Sequence, residues 1–302
     1  MRPSRSAALV ALCLLALAPL WAQGNSVYVT LCHAPFVVTD ARGRMVGDLT
    51  PHDVVVFDND RPQEITDFTR HVHAPLNLAV VIDRSGSVAD RFRLVGEAAT
   101  AFVMSVMHDR DDRGLLAAFD SKVYLLQDWT ADPGQLVANI RQLSPAGGTS
   151  VFDALFKTCR DKFDPTDPRQ NVVVLITDGE DTASVATFDQ ALQMASRSHV
   201  AVYVVGVRAQ GSLNTRDLQG HRVLSRLADL TGGRLIYPDE HHANDLAPAF
   251  AAVEDELRNG YDVSYALNLP PDNTFHRVRI ETRDRALTVH TRPGYYAQRP
   301  PA

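Results

Sequence analysis

Asp83, Ser85 and Ser87 put an oxygen on every second residue at the end of the stretch Leu76-Asn-Leu-Ala-Val-Val-Ile-Asp-Arg-Ser-Gly-Ser87. Gly86, between the serines, lets the backbone turn tightly. A carboxylate and two hydroxyls on one short loop are hard donors. With no Cys or His beside them they suit Mg²⁺, Ca²⁺ or Mn²⁺. The same residue types also cap helices, where Asp and Ser accept from exposed amides, so the triplet alone leaves both readings open. Two further loops carry oxygen donors. The run Asn171-Val-Val-Val-Leu-Ile-Thr-Asp-Gly179 closes on Thr177 and Asp178, and Ser144-Pro-Ala-Gly-Gly-Thr-Ser150 presents Thr149 from a glycine-rich turn. Glu180 and Asp181, next in line, read as a solvated acidic loop. His71 with His73, and His241 with His242, lack a third ligand at a zinc-like spacing. No Gly-x-Ser-x-Gly, His-Glu-x-x-His or phosphate-binding loop occurs.

The elements that must position these donors follow from hydrophobic patterning. Leu76 to Ile82 and Asn171 to Ile176 are continuous aliphatic runs, the signature of strands buried on both faces. Val200 to Val207 is a third such run and Arg234 to Tyr237 a short fourth. Between them, Arg91 to Met107 carries apolar residues at helical spacing, Asp132-Pro-Gly opens a helix ending near Leu143, and Val151 opens another. Phe188 to Ser198 follows a Thr187 cap, and Gly232-Gly233 closes a helix over Val223 to Leu230. Gly114 to Phe119 and Val123 to Leu126 flank the Asp120-Ser-Lys turn, a strand pair so close that one member must be an antiparallel edge. Alternating β and α segments predict a doubly wound, mostly parallel α/β sheet with helices on both faces. Ligands of such sheets bind at the carboxyl ends of the strands. Two central neighbours would bring Asp83 and Asp178 together there, with Thr149 reaching in from the adjacent loop.

Both ends of the chain read as short strands with turns: Val27 to Leu31, Asp53 to Phe57 and Gln63 to Phe68 at the start, Tyr261 to Leu267, Val278/Ile280 and Leu287/Val289 at the close. Neither set suffices for a core of its own, so together they are expected to form one small β-sandwich. The division expected is residues 1–22 as a signal peptide, 23–75 and 256–302 as the two parts of the sandwich, and 76–255 as the α/β unit between them.

Of 302 residues, 45% are hydrophobic and 22% charged, and the formal charge is −6, an ordinary globular balance. Basic residues are dispersed, which argues against nucleic acid. Arg2 and Arg5 precede an apolar run from Ala7 to Leu20, with Ala22 as a small residue at a cleavage position. Leu12 before Cys13 does not suit lipoprotein processing. The mature chain is therefore expected to begin near Gln23, to be exported to the periplasm or medium, and to lack a stable membrane insertion. Cys32 and Cys159 are the cysteines it would keep, expected as buried thiols and not as a disulfide.

Asp83-x-Ser85-x-Ser87, then Gly147-Gly-Thr149, then Thr177-Asp178-Gly179, each at the matching place in the β/α order, resembles a von Willebrand factor type A domain over residues 76 to 255. The flanking Val38-Thr-Asp-Ala-Arg-Gly43, Leu49-Thr-Pro-His-Asp53 and Arg292-Pro-Gly-Tyr-Tyr-Ala297 resemble a bacterial exported subgroup with β segments on both sides. The resemblance implies a metal-ion-dependent adhesion site made of Asp83, Ser85, Ser87, Thr149 and Asp178. In it the two serines touch the cation, Thr149 does so directly or through water, and the two aspartates act mainly through water. Mg²⁺ is the first choice, with Ca²⁺ and Mn²⁺ as alternatives. Arg84 is expected to point to solvent. The implied function is capture of a protein partner through an exposed Asp or Glu, without catalysis. The alternatives are a cation that merely staples loops in an assembly component, or a metal-dependent hydrolase.

The small residue closing the apolar run predicts cleavage after Ala22. N-terminal sequencing of protein recovered outside the cytoplasm should read from Gln23, whereas a chain retaining Met1 and the apolar run would instead be anchored.

Overall fold

The computed structural model describes residues 30–71, 74–179, 181–207, 215–238, 242, 244–267 and 274–297. The expected signal peptide and its cleavage position lie outside the described residues. The chain opens with β1 (Thr30–Thr39), β2 (Val54–Asp58), β3 (Arg61–Gln63) and β4 (Ile65–Arg70). Asn59 and Asp60 join β2 to β3 with φ of 47° and 62°. Left-handed backbone at both positions of a two-residue loop matches the twist of a hairpin, and Asn and Asp tolerate it.

The α/β unit follows: β5 (Leu76–Asp83), α1 (Phe92–Val106), β6 (Arg113–Phe119), β7 (Val123–Thr130), α2 (Pro133–Ile140), α3 (Val151–Lys162), β8 (Gln170–Thr177), α4 (Phe188–Arg197), β9 (Val200–Gly206), α5 (Thr215–Thr231), β10 (Leu235–Ile236) and α6 (Ala247–Asn259). Its six strands run in the order β10-β9-β8-β5-β6-β7. All neighbours pair in parallel except β6 and β7, the antiparallel edge. Every residue of β5 is buried, because α1, α2 and α6 cover one face of the sheet and α3, α4 and α5 the other. Val80, Ile82, Val174 and Ile176 point to the first face, Ala79, Val81, Val173 and Leu175 to the second, the period-two alternation of a pleated strand. A fully buried aliphatic side chain contributes roughly 1.5–3 kcal/mol, so the two central strands dominate the unit's stability.

Local chemistry explains the helix ends. Asp132 accepts from Gly134 N–H at 2.8 Å with Pro133 at the first helical position. Thr187 and Gln190 form a reciprocal capping box at α4. One helix escaped the pattern reading: α6, whose buried Ala249, Phe250, Val253 and Leu257 nonetheless follow helical spacing. A 3-10 turn over Gly86–Arg91 also precedes α1, which begins at Phe92.

The chain then returns through β11 (Tyr261–Leu267), β12 (Phe275–Thr282), β13 (Thr288–Thr291) and β14 (Gly294–Tyr296). Two antiparallel sheets result, β13-β1-β11-β4 and β14-β12-β2-β3, each mixing strands from both ends of the chain. Phe36, Val38, Tyr261 and Tyr265 of the first meet Val54, Val56, Val278 and Ile280 of the second in one core. Asp58 ties the sheets at its centre: its carboxylate accepts from Tyr265 Oη at 2.8 Å and Tyr295 Oη at 2.9 Å, with His276 Nδ1 at 2.9 Å. Cys32 lies in this core and Cys159 in α3; both are buried thiols. Among the described residues no helix is long and apolar enough to cross a membrane.

β1 is held between β11 and β13, and β2 pairs with β12. Deleting residues 261–302 should therefore abolish amide protection in β1 and β2 while leaving β5 and β8 protected. Hydrogen exchange on the truncated chain checks this, and retained protection over residues 30–58 would contradict the strand pairing.

Candidate metal centre

Asp83 closes β5 beside Phe119 of β6, and Ile82 pairs with Ile176, so the ends of β5 and β8 lie side by side. The Asp83 carboxylate is 1% exposed. Its Oδ1 accepts from Ser85 N–H at 2.8 Å and its Oδ2 from the Thr177 hydroxyl at 2.6 Å. Thr177 Oγ1 in turn accepts from Gly179 N–H at 3.2 Å, which sets the turn that carries Asp178. Ser85 Oγ and Ser87 Oγ stand 2.9 Å apart.

Backbone bonds fix the third loop against the first. Gly86 N–H donates to Gly147 O at 3.1 Å and Ala146 N–H to Arg84 O at 2.6 Å. Gly147 has φ of +72°, and a Cβ there would meet Asp120 at 2.9 Å, so both conformation and space require glycine. Two residues on, Thr149 is 5% exposed. Its N–H donates to Thr182 Oγ1 at 3.1 Å, and its carbonyl accepts from Thr182 N–H and Ala183 N–H at 2.8 and 2.9 Å. The three donor loops are thus braced against one another at the carboxyl end of the sheet.

The electrostatics ask for a cation. Burial pushes the Asp83 carboxyl up to about 6, against the hydrogen bonds from Thr177 and Ser85, and the negative charge of Asp178 pushes in the same direction as burial. A carboxylate in that position is under-compensated. The donors expected here, the carboxylates of Asp83 and Asp178 and the hydroxyls of Ser85, Ser87 and Thr149, are hard oxygens, which suit Mg²⁺-class ions and not a soft metal. Among the described residues no three His, Cys, Asp or Glu cluster as a metal site.

Several neighbours sit otherwise than expected. Arg84 does not point to solvent: its side chain is 22% exposed, lies 3.4 Å from Asp120 Oδ2 and covers the ring of Tyr124. Asp120, read from sequence only as a turn residue, is buried and also accepts from Lys122 N–H at 2.9 Å. It neutralises Arg84 and thereby keeps a positive charge from opposing a cation. Asp181 is a cap and not merely solvated, accepting from Val151 N–H of α3 at 2.8 Å and from Ser184 Oγ at 2.6 Å. Such capping from a distant loop has no local sequence signal. Glu180, His73 and His241 lie outside the described residues; His71 is buried at the junction, its N–H on Gly260 O at 2.8 Å.

A sequence model of the von Willebrand factor type A domain matches residues 78–180. Calcium-activated chloride channel regulator 1 of Mus musculus is 29% identical over 187 residues, 58% of this chain and 18% of that protein. The Sus scrofa protein is 29% identical over 191 residues, 60% of this chain and 19% of its own length. The match thus spans less than a fifth of these curated relatives. Among solved structures, proximal thread matrix protein 1 of the mussel byssus aligns with a TM-score of 0.53 at 15% identity, over 67% of this chain and 50% of that one. A form of it with a zinc-occupied MIDAS motif aligns at 0.51 and 16% identity, over 63% and 50%. At such identities the likeness is one of fold.

In excess EDTA, Asp83→Asn should melt at or above the wild-type temperature, because the buried charge is gone while its amide oxygen can still accept from Ser85 N–H and its NH₂ can donate to a rotated Thr177 hydroxyl. Added Mg²⁺ should stabilise the wild type, by about 2.7 kcal/mol at a hundredfold excess over Kd, and leave the variant unmoved. Equal responses in both would remove Asp83 from the site.

Proposed function

The chain carries a von Willebrand factor type A domain, and from that premise we propose that it is an exported, metal-dependent protein-binding module that engages a partner's Asp or Glu. The observation carrying this reading is the pair of serine hydroxyls, 2.9 Å apart, above a buried carboxylate. Ser85, Ser87 and Thr149 would hold the ion by neutral oxygens, with Asp83 and Asp178 balancing its charge from behind. A divalent cation held by so few formal charges supplies a Lewis-acidic position for an incoming carboxylate. The zinc-occupied MIDAS motif of the byssus protein supports the class of ion, and Mg²⁺, which retains exchangeable waters, is the one proposed here. Val185, 90% exposed on the segment bonded to Thr149, adds an apolar contact at the rim.

Two features favour binding over the alternatives. Both serines serve as ligands in this arrangement, which leaves no activated nucleophile for hydrolysis. The loops are already braced by backbone hydrogen bonds, so a cation is not needed to staple them. The apolar run and small residue before Gln23 support export.

A pull-down from the native envelope with and without chelator would supply the partner, and titration calorimetry would then test the contact. Asp178→Ala should cost about 2–5 kcal/mol of binding, Ser85→Ala somewhat less, and EDTA should abolish binding to the wild type. Binding unchanged in chelator and in Asp178→Ala would show that the cation is not the contact.

A further inference from the structure

The opposite end of the parallel sheet holds a cavity of about 590 Å³, between the amino ends of β8 and β9 and the β-sandwich. Seven residue steps along β8 separate the Gln170 end from Thr177, about 23 Å at strand rise, so this space is independent of the Asp83 centre. Its volume is that of an ordinary small-molecule site. Its wall includes Arg292, from the C-terminal Arg-Pro-Gly-Tyr-Tyr-Ala stretch that the metal centre does not use.

Arg292 is the group that needs explaining. One Nη donates to His33 O at 2.7 Å and the other lies 3.4 Å from His199 Nδ1. Its Nε is buried without an acceptor, and among the described residues no carboxylate oxygen lies within 4.0 Å of it. Burial pulls its pKa down, opposed first by the charge of Asp262. The other charged groups on the wall lie within ion-pair distance of a partner, although Asp262 Oδ1 makes no hydrogen bond. Glu256 pairs with Arg234 at 2.5 Å, Asp262 lies 3.4 Å from His33 Nδ1, and Asp167 takes both Arg113 and Arg169. A second buried donor, Gln170 Nε2, also lacks an acceptor. It belongs to the same cluster: Asn171 pairs with Val200, which sets Gln170 opposite His199, and His199 touches Arg292. His199 takes a left-handed φ of 52°, uncommon backbone for a residue other than glycine.

We infer that this cavity binds a small organic monocarboxylate, its carboxylate held by Arg292 and Gln170 and its carbon skeleton lying against Val172, Tyr203 and Leu257. A single negative charge matches the cluster, because His199 is held neutral, its pKa pulled down to about 4 by burial and by Arg292. A dianion would leave excess charge beside Asp262. The three apolar residues are almost wholly buried, which asks for a hydrocarbon body and not a bare ion.

The test is ligand-observed NMR titration of the full chain with hexanoate, in EDTA so that the Asp83 centre captures nothing. Saturable binding at one site is expected, with hexan-1-ol and hexylamine at least about 10-fold weaker. Arg292→Gln and Gln170→Leu should each lose about 10-fold. Should Arg292→Gln fail to fold, Gln170→Leu decides, since that amide nitrogen bonds to nothing in the protein. The assignment is overturned by absence of saturation, by equal binding of hexan-1-ol, by tighter binding of inorganic phosphate, or by full affinity in Gln170→Leu.

Discussion

The hydrogen bond from the Thr177 hydroxyl to the Asp83 carboxylate joins the ends of the two most deeply buried strands, β5 and β8. It also transmits their alignment to the loops that carry the donors. Asp83 has left water because the strand it ends is covered on both faces. The rise of its pKa to about 6 corresponds to an electrostatic cost on the order of 3 kcal/mol at neutral pH. That is no more than one or two of the buried aliphatic residues behind it contribute. The sheet can therefore hold an under-compensated carboxylate at its carboxyl end, and that residual charge is what makes the end attractive to a cation. The core and the site are in this sense one energetic problem.

A second constraint comes from the chain entering and leaving the α/β unit at the same place. Arg258, near the end of α6, donates to Asp112 Oδ2 and Val106 O at 2.5 Å and to Ala74 O at 3.0 Å. It thereby fastens the segment before β5 to the segment before β11. His71 N–H on Gly260 O adds a backbone bond across the same junction. An arginine 8% exposed in its side chain is tolerable there because Asp112, itself 1% exposed, and Asp109, 3.3 Å away, compensate it. With both crossings pinned, the terminal strands reach each other and close the sandwich around Asp58.

The two ends of the sheet have opposite electrostatic character. At the carboxyl end, Arg84 is neutralised by Asp120 and the remaining charge is negative. At the amino end, Arg292 has no carboxylate within ion-pair distance among the described residues, and its Nε lacks an acceptor. Strand polarity separates the two by the length of β8, so a ligand at one end need not disturb the other. Both sites lie where covalent connectivity forces the packing to stop: the tips of strands at one end, the seam between the units at the other.

Periodicity and short motifs sufficed for much of this molecule. Continuous aliphatic runs at Leu76–Ile82 and Asn171–Ile176, alternating with helical spacing, determined a parallel sheet, because burial on both faces leaves no polar alternation, and the short Asp120-Ser-Lys turn between two strands required an antiparallel edge. The same runs placed Asp83 and Asp178 at neighbouring strand ends, and the glycine-rich turn put Thr149 within reach. Turn and strand signals at the two termini were enough to require a shared sandwich. What local signals left open depends on residues distant in the chain. Arg84 turns inward only because Asp120 meets it across the turn between β6 and β7, and Asp181 caps a helix that begins thirty residues earlier. Arg292 comes to line the cavity, with its Nε buried and unpaired, only when the C-terminal segment closes over the amino end of β8 and β9. Secondary structure is written in spacing along the chain. Which charges are compensated is decided by what folding brings within hydrogen-bonding distance.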